Sequence, residues 1–141
     1  MTTSDIALPP WIGVAVFTCV CGAALWKGGW QERLVAAGLV LGWAITALVR
    51  DYSYTQPQWG GFAVTVVNLV LFMAVALRSR KSWPLWAAGF QLLAVITHGA
   101  RIVDPTVGAW AYITAGVIWT YCIMAALGVG VWGCVRRAGI E

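Results

Sequence analysis

Residues 59–77 read WGGFAVTVVNLVLFMAVAL, a stretch without a single charged side chain. A helix needs roughly 20 mostly apolar residues to cross the hydrocarbon core of a bilayer, and somewhat fewer when interfacial residues complete its length. In hydrocarbon the backbone must satisfy its own hydrogen bonds, so an apolar run of this length is expected to be helical. The stretch therefore predicts a transmembrane helix.

Four more apolar runs of similar length accompany it, and the links between the runs are too short to hold a soluble domain. Of the 141 residues, 61% are hydrophobic and only 10% are charged, whereas soluble domains carry about a quarter charged residues. None of the runs alternates as the strand of a membrane barrel would. We therefore predict an all-α integral membrane protein, a single compact bundle of five transmembrane helices, with spans at residues 10–26, 34–49, 59–77, 83–103 and 108–135.

The basic residues divide unevenly between the two sides of such a bundle. Seven of them lie beside the first and third links or after the last run, and two lie in the second and fourth links. Because cytoplasmic loops are enriched in Lys and Arg, this distribution predicts an N-terminus outside and a C-terminus in the cytoplasm. The alternative is a bundle of four transmembrane helices, in which residues 83–103 lie on the membrane surface.

Tryptophan content and net charge agree with a protein embedded in a lipid bilayer. The chain contains 10 tryptophans, and most of them fall near the predicted ends of the spans, where indole rings are typically found. The net charge of +4 comes mainly from the predicted cytoplasmic rim. Such a rim suits anionic lipid, and no nucleic-acid partner is expected.

Gly38 and Gly42 form a GxxxG pair within the second run. Small residues at this spacing let two helix backbones approach closely. The partner is either another helix of the same chain or a helix of a second copy. The pair therefore predicts helix packing and leaves the partner open.

Two polar side chains lie near the middle of predicted spans, Asn68 in the third and Gln91 in the fourth. Since they lie at comparable depth, they are placed to hydrogen-bond to each other across the helix pair, which is the interpretation we favour. The alternative is that the two intramembrane polar residues line a ligand cavity.

The stretch ITHGARIVDP, residues 96–105, places titratable side chains at the end of the fourth run. Gln91, His98 and Arg101 follow one another at intervals of seven and three residues, so on a helix they form a polar stripe along one face. That face is expected to turn inward. Asp104 extends the stripe by three more positions, but the proline that follows is expected to end the helix there.

A candidate polar vestibule follows from this stripe, because Arg50 and Asp51 close the second run at the same outer level. One interpretation is that these charges only neutralise each other at the membrane–water interface, where a charged side chain stays hydrated and costs little free energy. The other is that they surround a ligand. The vestibule consists of His98, Arg101, Asp104, Arg50 and Asp51.

No metal site or catalytic residue is predicted, and the sequence identifies no cofactor. The four cysteines lack C-x-x-C spacing, and a single histidine excludes a bis-histidine haem. The motifs G-x-S-x-G, H-E-x-x-H and the P-loop are absent. Every acid is expected at or beyond a membrane interface, which weakens proton-coupled transport as well as intramembrane hydrolysis.

The segment RSRKSWPLWAAGFQLLAVITH, residues 78–98, contains the motif W-P-L-W-A-A-G-F-Q-L followed by His98. Together with W-A-Y and I-W-T-Y within residues 109–121, it resembles an uncharacterised group of small polytopic bacterial inner-membrane proteins. The resemblance covers the last third to half of the chain. It implies a location in the bacterial inner membrane and carries over no catalytic role.

Two hypotheses about function remain. The leading one is a non-enzymatic membrane protein that serves as an accessory or scaffold subunit, in contact with other membrane subunits or with copies of itself. It rests on the GxxxG pair, the tryptophan belts and the expected absence of intramembrane acids. The alternative is a small-molecule binder or transporter that uses the outer vestibule around His98 and Arg101.

Overall fold

The computed structural model of this protein describes residues 9–49 and 58–140. It confirms the predicted all-helical fold with five helices, and no strand occurs within these two ranges. Arg50 and Asp51, which were predicted to belong to the polar vestibule, lie outside the described residues. The helices are α1 (Pro10–Lys27), α2 (Trp30–Val49), α3 (Trp59–Arg78), α4 (Trp83–Val103) and α5 (Ala109–Ala138).

Helix ends follow local chemistry, with one exception at α2. Prolines occupy the first turns of α1 and α4, where a backbone amide has no partner within the helix. Gly28 is the C-cap of α1: its amide donates the last helical hydrogen bond, to the carbonyl of Ala24, its backbone then becomes extended, and a side chain there would overlap that carbonyl. The exception is that α2 begins at Trp30, four residues before the predicted span, so Glu32 lies in its first turn.

Consecutive helices pack side by side, and α5 closes the bundle against α1 and α2. The GxxxG pair of α2 faces α3 of the same chain. A Cβ added at Gly38 would lie 2.7 Å from Cδ2 of Leu71, and one at Gly42 would lie 3.2 Å from Cγ1 of Val64. Gly38 thus faces Leu71, and Gly42, which is later in the sequence, faces the earlier Val64, so α2 and α3 run antiparallel. The predicted close approach is therefore made within the chain.

The bundle has two ends, which we name after one residue at each. The Glu32 end comprises the link between α1 and α2, the link between α3 and α4, and the end of α5. The His98 end comprises the starts of α1 and α3 and the link between α4 and α5. The two ends divide the bundle into two halves, and each helix has one part in each half.

The packed apolar core lies almost entirely in the half of the bundle near the Glu32 end. Phe72, Leu127 and Val35 are its largest completely buried apolar side chains, from three different helices. Leu39 and Ile123 mark its limit at the middle of the bundle. The rest of this core comprises Cys21, Ala24, Ala36, Val75, Trp83, Ala87, Ala88, Ala126 and Val131.

The outer surface of the bundle is apolar over much of its area. Helices α2, α3 and α5 are long and apolar enough to cross a membrane, and α1 is a shorter apolar helix. Large side chains such as Leu48, Leu77 and Trp110 are about four-fifths exposed or more, at 87%, 79% and 79%. Water would disfavour such a surface, whereas hydrocarbon would not.

Candidate functional site

A cavity of about 350 Å³ lies between the helices in the half of the bundle near the His98 end. All five helices contribute to its wall. At its floor are Leu39 and Ile123, which also belong to the packed core, so the cavity ends where that core begins. The polar side chains of the wall are Thr46, Gln58, Thr65, Asn68, Gln91, Thr97, His98, Tyr112 and Thr120.

His98 stands in the wall of this cavity and is held from both sides. Its Nδ1 lies 2.7 Å from the hydroxyl of Tyr112. Either the hydroxyl donates to Nδ1 or a protonated Nδ1 donates to the hydroxyl, according to the imidazole tautomer. The two rings meet edge to face with centroids 5.3 Å apart, and the ring of Phe62 lies 6.5 Å away on the α3 side. The imidazole is therefore positioned between α3 and α5.

Arg101 follows His98 by almost one helical turn and is 8% exposed. Its guanidinium donates a hydrogen bond to the carbonyl of Val107 in the link between α4 and α5. The same group lies 5.3 Å from the centre of the Tyr112 ring, a geometry typical of a cation–π contact. Arg101 does not line the cavity, and it positions the tyrosine that His98 contacts.

Asp104 is the C-cap of α4 and is exposed to solvent. Its carboxylate accepts hydrogen bonds from the hydroxyl and the backbone amide of Thr106, at 2.6 and 2.9 Å. These bonds, the one from the hydroxyl first, lower the pKa of Asp104. Asp104 therefore shapes the turn after α4 and takes no part in the inward-facing stripe.

The predicted hydrogen bond between Asn68 and Gln91 is wrong. Gln91 is buried, and its Nε2 donates to the carbonyl oxygen of Thr65 at 2.9 Å. Asn68 faces α2 instead, because Cβ atoms added at Gly38 and Gly42 would lie 3.1 and 2.5 Å from its amide group. Among residues 9–49 and 58–140 the Asn68 amide has no hydrogen bond, so it is available to a molecule in the cavity.

The wall of the cavity carries no ionised side chain in the part of the chain that the structure describes. His98 and Tyr112 are its titratable groups, and threonines and amides supply the other polar atoms. Nor do three His, Cys, Asp or Glu side chains come together as a metal site within the described ranges. The arrangement suits hydrogen bonding to an uncharged molecule, because a buried charge needs a partner of opposite sign.

A second polar cluster lies at the Glu32 end, and sequence reasoning missed it. Glu32 is 0% exposed. Its Oε1 accepts hydrogen bonds from Nζ of Lys81 at 2.7 Å and from Nε1 of Trp83 at 3.1 Å. Its Oε2 is buried and has no partner among the described residues. The available signal was an acid in the first turn of a helix, where the positive end of the helix dipole stabilises a carboxylate.

Lys81 lies in the link between α3 and α4 and is 23% exposed. Its Nζ also lies 3.3 Å from Sγ of Cys134 on α5. Burial alone would lower the pKa of Lys81, but the hydrogen bonds to Glu32 and Cys134 outweigh it, and the pKa of Lys81 is raised. The lysine is therefore charged throughout the physiological range.

Comparison of the chain with protein-family models, with curated proteins and with solved structures found no match. The interpretation of the cavity and of the cluster around Glu32 therefore rests on their geometry and chemistry.

Proposed function

We propose that this chain is an integral membrane protein that binds a small uncharged polar molecule in the cavity and admits it from the His98 end. The observation that carries the proposal is the cavity itself, about 350 Å³ in volume and lined by polar side chains inside an apolar bundle. Ligand pockets of roughly 300 to 1,000 Å³ are typical of small-molecule sites. The volume here corresponds to the smallest of these.

All five helices span the membrane in this proposal, including α4, which is not among the three described helices whose length and apolarity are by themselves sufficient for a span. The polar side chains of α4 point inward, because Gln91 and Arg101 are buried and His98 lines the cavity. Its outward face carries exposed apolar side chains such as Trp86 and Ile96. A helix packed between α3 and α5 in this way has an apolar surface toward lipid. This supports five spans over four.

The orientation follows from the basic residues. Of the eight basic residues that the structure describes, seven lie at the Glu32 end and one, Arg101, lies at the opposite end. By the enrichment of Lys and Arg in cytoplasmic loops, the Glu32 end faces the cytoplasm and the His98 end faces outward. The resemblance of residues 78–98 to small bacterial inner-membrane proteins supports that membrane as the location in this proposal.

The ligand is uncharged in this proposal because the described wall offers no ion to pair with it. Asn68, whose amide has no hydrogen bond within the described ranges, supplies donors and an acceptor to the cavity wall. His98 and Tyr112 supply further hydrogen-bonding groups nearer the entrance. No reaction is proposed, because a hydrogen-bonding wall explains binding without bond breaking.

Two glycines on α5 provide a direct test. Gly116 lies on the line of Tyr112 and Thr120 that faces the cavity, and a Cβ added to it would meet no atom within 4 Å. Gly116→Leu should therefore fill the cavity without disturbing the helices. Gly128→Leu makes the same change on the same helix, also into open space but outside the cavity wall.

The measurement is native mass spectrometry of the protein purified in mild detergent from its own membranes. Wild type and Gly128→Leu should carry a reproducible small-molecule mass, and Gly116→Leu should lose it. Wild-type protein that is always bare, or an adduct that survives in Gly116→Leu, would contradict the proposal.

An accessory or scaffold subunit is the second candidate. Gly38 and Gly42 give it no support, since they pack against α3. The observation that favours it is a set of glycines on the outward faces of α4 and α5, where an added Cβ would meet no atom: Gly89, Gly99, Gly128 and Gly133. The same spectra test it, because a stable partner or a second copy would appear as an additional protein mass that Gly128→Leu removes.

A further inference from the structure

We propose that Glu32, Lys81 and Trp83 form a latch that holds the cavity closed toward the Glu32 end, and that opening this latch releases the ligand at that end. The inference rests on the proposed binding function and makes the protein a carrier that exposes one cavity to two sides of the membrane. It gives a role to a buried acid that ligand binding does not use.

The latch connects every structural element that meets at the Glu32 end. Oε1 of Glu32, on α2, accepts hydrogen bonds from Lys81 in the link between α3 and α4 and from Trp83 on α4. The ring of Trp83 presses on α5, because a Cβ added at Gly130 would lie 2.6 Å from its Cε2. Helix α1 joins through the turn at Gly28, where an added Cβ would lie 2.5 Å from Cβ of Glu32. The carboxylate thus joins α2 to α4 and to the link after α3, while the Trp83 ring and Cβ of Glu32 lie against α5 and the turn after α1.

A dry plug separates the latch from the cavity. Leu39 and Ile123 form the floor of the cavity, and Val35, Phe72 and Leu127 fill the space beyond them. These five apolar side chains leave no hydrogen-bonding path for a polar molecule through the packed half. Passage therefore requires the helices to separate at the Glu32 end, and the latch is what opposes that separation.

The chemistry of the cluster suits a contact that breaks and reforms. A buried ion pair gains little net stability over an apolar pair, because the loss of hydration offsets most of the attraction. Lys81 is 23% exposed and reaches water when it leaves Glu32. Oε2 of Glu32 has no partner among the described residues, and such an unsatisfied buried oxygen destabilises the closed arrangement. The closed state is thus held by a bond that can be exchanged for hydration.

The reactivity of a cysteine in the cavity wall reports from which side of the membrane an aqueous reagent reaches the cavity. The reporter is Ala94→Cys on α4, in a chain where Cys19, Cys21 and Cys122 are alanine and Cys134 is serine. A small, charged, membrane-impermeant thiol reagent is applied to spheroplasts and to inverted membrane vesicles. With the latch intact, the cysteine should be labelled rapidly by reagent added on the side of the His98 end and slowly by reagent added on the side of the Glu32 end.

Glu32→Gln should then let the reagent reach the cavity from the side of the Glu32 end as well. The amide cannot form the ion pair, so we expect labelling from the Glu32 end to rise by about tenfold or more, the factor that corresponds to losing one charge-assisted hydrogen bond. Arg80→Gln removes an exposed charge next to Lys81 and is the matched control, with unchanged labelling. Unchanged labelling in Glu32→Gln, or equal labelling from both faces with the latch intact, would overturn the proposal.

A second variant covers the case in which Glu32→Gln does not accumulate. Trp83→Phe removes the indole N–H that donates to Glu32 and leaves a smaller aromatic ring near Gly130. It should raise labelling from the Glu32 end in the same direction, and failure to do so would count against the latch. The two proposals can fail independently. Labelling tests the latch, and native mass spectra test whether a small molecule is bound.

Discussion

The two halves of the bundle use the same five helices but differ in what lies between them. Near the Glu32 end, side chains such as Phe72 and Leu127 fill the interior completely, and one buried ion pair joins the helices. Near the His98 end, threonines, amides and an imidazole surround a cavity of about 350 Å³. Helix length and apolarity therefore determine the bundle, while the inward-facing side chains determine where it is solid and where it is hollow.

The largest effect should come from removing Lys81, which would test whether the packed half depends on its ion pair. Lys81→Met leaves Glu32 buried at 0% exposure without its charged partner. Breaking a buried pair from one side typically costs about 3 to 5 kcal/mol in free energy of unfolding. Reversible unfolding in mixed micelles, followed by tryptophan fluorescence, would measure it. Arg80→Met is the control, and an equal loss in both variants would show that the pair is unimportant.

A smaller effect should follow when a methyl group is added to the packed half. In Gly130→Ala the new Cβ would lie 2.6 Å from the Trp83 ring, and the bond from Trp83 to Glu32 prevents the ring from moving away. Overpacking of this kind costs about 1 to 3 kcal/mol. Gly116→Ala, at the cavity, should cost nothing measurable by the same unfolding assay. If the two variants were equally stable, the two halves would not differ in packing.

Changes in the hollow half should be smaller still. Gln91→Leu removes the hydrogen bond to the Thr65 carbonyl, and Tyr112→Phe removes the hydrogen bond between the tyrosine hydroxyl and His98. Interhelical hydrogen bonds in membranes average about 0.6 kcal/mol and reach about 1.7, so each variant should lose no more than that in free energy of unfolding. A loss as large as that of Lys81→Met would mean that the cavity wall, and not the packed half, stabilises the fold.

The smallest effect concerns pH. Because its pKa is raised in the folded protein, Lys81 contributes stability that is fully present below the ordinary lysine pKa of about 10.4 and is lost as pH rises through the higher folded value. The difference in free energy of unfolding between wild type and Lys81→Met should therefore stay constant from about pH 6 to pH 9. A difference that shrinks by pH 8 would show that Lys81 loses its proton too early.

The helices were largely predictable because each apolar run ends at a local signal. Helix α4 occupies the predicted residues 83–103, and α3 extends the predicted 59–77 by one residue. Helix α2 begins four residues before the predicted span, so Glu32, which was expected in a link between helices, lies in its first turn. The burial of Glu32 depends on Lys81, 49 residues away, and no local pattern shows that pairing.

The candidate site was predictable only in part, for a similar reason. Helical spacing placed Gln91, His98 and Arg101 on one face, and the structure places all three toward the interior. The spacing could not identify Tyr112, whose role depends on how α5 packs against α4. Nor could it distinguish threonines that face the cavity from threonines that face lipid. Side chains on different helices meet only through the packing of the whole bundle.

The separation between Glu32 and Lys81 also sets an order for synthesis and assembly. Glu32 leaves the ribosome 49 residues before Lys81, an interval of roughly 3 to 10 seconds at typical rates of translation. During that interval the first helical hairpin holds an acid without its partners, and in the proposed membrane protein this acid stays hydrated at the membrane surface. The second hairpin brings the lysine that pairs with it and the indole that donates to it, so docking of the two hairpins completes the burial of Glu32. Helix α5 is synthesised last and packs against α1 and α2.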